Sequence, residues 1–119
     1  GYAAAALARM GDAAMPAFAR LLIDTDRDVR AAAAVALGGA STVSARALLE
    51  VAVLDGDEVV AGCAAESLGR TGGAAAVPVL AAVACRESEW VRYAATCALR
   101  DIGGEAAERA LAELGVVPR

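Results

Sequence analysis

The chain has 119 residues, with alanine at 34 positions and an aromatic at only four. Its core must therefore be made of small side chains on closely spaced helices. All 11 basic residues are arginine, histidine is absent and the net charge is −4. That removes the commonest general base and the Schiff-base nucleophile, and argues against nucleic acid as main partner, because phosphate binding needs clustered positive charge.

Residues 1–25 hold a shortened copy of a pattern that returns later in the chain. Leu7-Ala8-Arg9-Met10-Gly11-Asp12-Ala13-Ala14-Met15-Pro16 resembles Leu68-Gly69-Arg70-Thr71-Gly72-Gly73-Ala74-Ala75-Ala76-Val77-Pro78, one residue shorter. Phe18 then stands where later copies have leucine. This first copy lacks a helix cap and an anchor valine, so the chain is expected to open inside a repeat, as a piece of a longer solenoid or as a chain whose beginning is missing.

Residues 26–56 form the first complete unit. Asp26 is an N-cap, Val29 an apolar anchor, and Ala32, Ala33, Ala36 and Leu37 continue one helical face. Residues 57–87 and 88–119 repeat the unit at a spacing of 31: Val29, Val60 and Val91; Leu37, Leu68 and Leu99; Asp26, Asp57 and Ser88. Self-similarity at this period is the mark of a stacked-repeat architecture. Each unit predicts a helix A, over 27–38, 58–70 and 89–101, and a helix B, over 43–54, 74–85 and 105–114. The three valines are expected in one buried row. Leu49, Leu80 and Leu111 anchor the B helices, with Ala52, Val83 and Leu114 three residues further on. Gly38-Gly39, Gly69 with Gly72-Gly73, and Gly103-Gly104 are expected to end or follow the A helices in left-handed caps. Pro16 and Pro78 fall at the entry of a B helix, where a missing N–H is tolerated.

The pattern Asp-x-x-Val-Arg-x-Ala-Ala-x-x-Ala-Leu-Gly, then a Gly-Asp or Gly-Gly pair ahead of a proline (Gly11-Asp12 with Pro16, Gly72-Gly73 with Pro78), then Leu-x-x-Leu resembles the HEAT-like repeat of the phycobilisome-lyase type. The resemblance implies an all-α fold, an α-α superhelix of about four stacked helix pairs with the B helices lining its concave side. Ala61, where an arginine is expected, and Arg100, where glycine is expected, depart from the pattern. Arg30 and Arg92 are expected to hydrogen-bond a neighbouring turn. The family also implies a second reading, a subunit or chaperone of a bilin-lyase-like enzyme. In those lyases the acceptor cysteine belongs to the client, so none of the three cysteines here needs that role.

The cysteines, Cys63, Cys85 and Cys97, are odd in number and form no CxxC pair, which indicates a reduced, cytoplasmic compartment. Cys63 is expected to be a small buried hydrophobe, and Cys97 to lie on a flank aligned with Val35 and Glu66. With no histidine beside them, no catalytic residue, metal site or cofactor is expected. No charge-free stretch of 18 residues is bulky enough to span a bilayer, and the opening lacks the pattern of a secretory leader.

Function is therefore expected to be non-enzymatic, a scaffold for a protein or peptide partner. The outward B-helix row is Pro16 and Arg20, Ala47 and Val51, Pro78 and Ala82, Arg109 and Glu113. Its middle is small and apolar and its ends are charged. The alternative contact is the stripe of Trp90, Tyr93 and Cys97 on helix A of the last unit. This stripe, or the open end of the stack, is also where the chain could self-associate; the tail Val116-Val117-Pro118 is the simplest cover for it. Neither nucleic acid nor membrane is an expected partner.

Overall fold

In the computed structural model, residues 15–39, 43–71, 73–85 and 88–115 are described. They form seven α-helices and no strand: α1 (Met15–Leu21), α2 (Arg27–Leu37), α3 (Val43–Ala52), α4 (Glu58–Thr71), α5 (Val77–Val83), α6 (Glu89–Ile102) and α7 (Gly104–Glu113). The A helices are α2, α4 and α6; the B helices are α1, α3, α5 and α7. The copy at 7–14, the tail 116–118 and the opening of the chain lie outside the described residues.

Each A helix begins as its sequence requires. The Asp26 carboxylate accepts from the Asp28 N–H at 2.8 Å, Asp57 from Val59 at 2.9 Å, and the Ser88 hydroxyl from Val91 at 3.3 Å. Each bond satisfies an amide that the first turn leaves without a partner. A second carboxylate braces two of these loops, since Asp24 accepts from the Asp26 N–H and Asp55 from the Asp57 N–H, both at 2.8 Å.

Successive units are tied at the same register. Arg27 pairs with Asp57 at 3.4 Å, and one unit later Ser88 donates to Glu58 at 2.8 Å. The opening residue of one A helix thus reaches the cap of the next. Arg30 joins two loops, donating to the Asp24 and Thr25 carbonyls at 2.7 and 3.3 Å and to Asp55 at 3.0 Å. This is the structural role expected of it. Its counterpart Ala61 is fully buried, and residues 86–87, which correspond in sequence to Asp24 and Thr25, lie outside the described residues.

Partial desolvation works to raise the Asp57 carboxyl, but the Val59 and Val60 amides and the Arg27 guanidinium outweigh it and hold it below its ordinary value of 3.8. A carboxyl depressed by folding stabilises the fold above its unfolded value and loses that contribution as pH falls through its folded value. The melting temperature should therefore decline below about pH 4, and Asp57→Asn, which can still cap the helix, should show a smaller decline. Thermal unfolding followed by circular dichroism in acid measures both.

Phe18, Leu49, Leu80, Leu37, Leu68 and Leu99 are fully buried, and Leu111 nearly so, which places the leucines and Phe18 between the A and B layers. Val60 and Val91 are also fully buried, but Val29 is only half-buried. The expected row of three is a row of two, because α2 has a described A helix on one side only. The A helices carry a second buried edge at Ala34 and Ala65, turned toward the next A helix. There Ser67, a fully buried hydroxyl, donates to the Ala34 carbonyl at 2.8 Å. That carbonyl lies in the last turn of α2, where the Gly38 N–H bonds Val35 instead.

Three local expectations need correction. Gly38 is right-handed, with φ −64°, and the left-handed turns fall at Gly73, Gly103 and Gly104. Gly69 caps nothing; it lies inside α4, and a Cβ there would stand 2.8 Å from both Cα and Cβ of Ala98. Its role is the close approach of α4 and α6. Finally, the third B helix is not continuous from residue 74. One turn of 3-10 helix spans Gly73–Ala76 and the α-helix begins at Val77, with Pro78 in its first turn supplying no N–H.

Candidate interaction site

All eight residues of the B-helix row are exposed. Each pair is four residues apart, one above the other on its helix: Pro16 and Arg20 on α1, Ala47 and Val51 on α3, Pro78 and Ala82 on α5, Arg109 and Glu113 on α7. Val51 is 67% exposed although it is apolar. At the charged end, Arg109 pairs with Glu105 at 3.0 Å, an exposed i,i+4 contact of small energetic weight.

The row is longer than its sequence suggested. Val43 and Leu54 are 70% and 65% exposed, so α3 carries the stripe Val43–Ala47–Val51 and the residue just past the helix continues it. The spacings of four, four and three were a legible signal for a second apolar face. On the next B helix, α5 exposes Pro78 and Ala82, and Ala74, Ala75 and Cys85 beside it in the chain are also exposed.

The alternative contact divides in two. Trp90, 55% exposed, leans back over α4, where Gly62 leaves the space for its indole. Tyr93, 71% exposed, stands at the position of Gly62 one unit later, and Arg100 at that of Gly69. Another A helix laid on α6 would meet a phenol and a guanidinium where α6 itself meets two glycines. A side-chain hydrogen bond with Cys97, then its charge and slight desolvation, push the Tyr93 phenol up against the opposing effect of Arg100.

Cys63 is half-buried against the core rather than fully buried, because it sits at the border between the A-layer interior and the flank that bears Glu66. Desolvation, then the charge of Glu66, raises its thiol. All three cysteines are free, and Cys97 shares the outer flank with exposed Val35 and Glu66, as expected. Among the described residues no group of three potential ligands converges on a metal position, and no helix is long and apolar enough to cross a membrane.

Helix pairs in constant register, capped alike and tied cap to opening residue, are the geometry of a helical repeat stack. Residues 45–116, more than half of the chain, match the family model for HEAT repeats. The chain belongs to the HEAT repeat family. No curated protein matches it. HEAT repeats commonly mediate protein–protein interaction, through the extended surfaces that stacking produces. Among the described residues, this HEAT-repeat chain presents an exposed apolar stripe on α3, exposed small residues on α5 and a groove beside Trp90.

Proposed function

We propose that the chain is a non-enzymatic, cytoplasmic protein-interaction scaffold, built on the phycobilisome-lyase type of HEAT-like repeat, whose B-helix row receives a protein or peptide segment. The observation that carries this reading is the stripe on α3, apolar and largely exposed along its full length. The members of the row on α5, Pro78 and Ala82, are small, and within the row charge appears only at Arg20, Arg109 and Glu113. A suitable partner is an extended or helical segment with a bulky apolar centre, since alanine and valine leave room for large side chains opposite. A repeat stack offers this surface already formed, which lowers the ordering cost of binding. Nucleic acid and membrane are not partners on this reading.

The double change Val51→Glu and Ala82→Glu tests it. Both positions are exposed, so the melting temperature should stay within a few degrees of wild type. Affinity for a captured partner should fall at least about tenfold, or roughly 1.4 kcal/mol. Unchanged affinity in a folded variant would remove the B-helix row from consideration.

A further inference from the structure

A cavity of about 320 Å³ lies between α4 and α6, lined by Glu66, Trp90, Tyr93, Ala94, Cys97 and Ala98, with Asp101 at its end. Its α6 residues recur every three or four positions, on the side of that helix opposite buried Ala95 and Leu99. It is therefore separate from the B-helix row. From Trp90 to Asp101 the helix rises roughly 16 Å, long enough for a few residues of a chain to lie along it.

Its chemistry is specific. Two aromatic rings stand largely exposed at one end, and the only charged residues in the lining are carboxylates, Glu66 from one helix and Asp101 from the other. Neither makes an ion pair or hydrogen bond among the described residues. The neighbouring Arg100, whose charge is felt at Tyr93, is not part of the lining. A ring face attracts a cation, and carboxylates without a partner attract it further. A planar guanidinium satisfies both at once, stacking on a ring while its N–H groups reach an oxygen; an ammonium does so less well. The volume is at the lower end for binding pockets, which fits one side chain better than a bulky cofactor.

We propose that this groove binds an arginine side chain carried on a partner segment, with the guanidinium held against the Trp90 and Tyr93 rings and paired with Glu66, while Asp101 adds negative charge farther along the groove. The site is independent of the B-helix row, so either can fail without the other.

The test is a titration of the isotope-labelled chain with acetyl-Ala-Arg-Ala-amide, followed by amide and indole N–H chemical shifts. The citrulline peptide, of the same shape but neutral, serves as control. The arginine peptide is expected to shift the Trp90 indole and the amides of residues 90–101, and to bind at least about fivefold more tightly than the citrulline peptide. The lysine peptide should fall between them. Glu66→Gln with Asp101→Asn changes two exposed side chains without partners, so it should keep the folded spectrum and abolish the preference for arginine over citrulline. Equal binding of the two peptides, shifts centred on α3 and α5, or no shifts at peptide concentrations of tens of millimolar would each overturn the proposal.

Discussion

Val60→Asp is expected to lower stability by about 4 kcal/mol or more, enough to abolish folding of a marginally stable chain. Val60 is fully buried between α4 and its neighbours, one turn from the cap that Asp57 supplies. An aspartate there would carry an uncompensated charge into a layer of alanine and leucine, and no arginine stands at Ala61 to pair with it. Val35→Asp provides the comparison. Val35 is also a valine on an A helix, but it is half exposed, so its replacement should cost no more than about 0.5 kcal/mol. Urea unfolding followed by circular dichroism separates the two. A wild-type midpoint for Val60→Asp would mean that the valine row does not hold the stack together.

Gly69→Leu should cost about 2–3 kcal/mol, even though leucine is the better helix former by close to 1 kcal/mol. The reason is what a side chain meets there. Its first carbon would lie 2.8 Å from the Cα of Ala98, and backbone in the middle of a helix cannot step aside. The contrast is Gly62→Ala, whose new methyl meets the Trp90 indole, the far end of a rotatable and half-exposed side chain. The ring can swing outward, so stability should change by less than about 1 kcal/mol while tryptophan emission moves to the red. If Gly69→Leu instead stabilised the chain, α4 and α6 would not be in the close contact described.

The difference between these glycines marks what could be read from the sequence and what could not. Caps, anchor valines and leucines were legible because each depends on neighbours within one or two turns, and the spacing of 31 repeated the message. The outward faces of α3 and α5 were legible for the same reason, through residues four apart. Gly69 was not: a glycine near the end of a helical pattern serves equally as a cap or as a close approach, and only Ala98, on another helix, decides. Val29 looked like Val60 and Val91 because sequence does not say how many neighbours an A helix has. Glu66 and Asp101 escaped notice because they are 35 positions apart, and their convergence depends on the register between α4 and α6. The break before α5 stems from Pro78, whose position at the helix entry was visible but whose 3-10 turn was not.

The central claim, that the B-helix row is where a partner binds, is tested most directly by photo-crosslinking. A benzophenone side chain is placed singly at Val51, Ala82 and, as a control on the A-helix flank, Val35, all three exposed. Irradiation in the presence of a purified partner should give covalent adducts from Val51 and Ala82 and none from Val35. Adducts from Val35 alone, with Val51 and Ala82 silent, would contradict it.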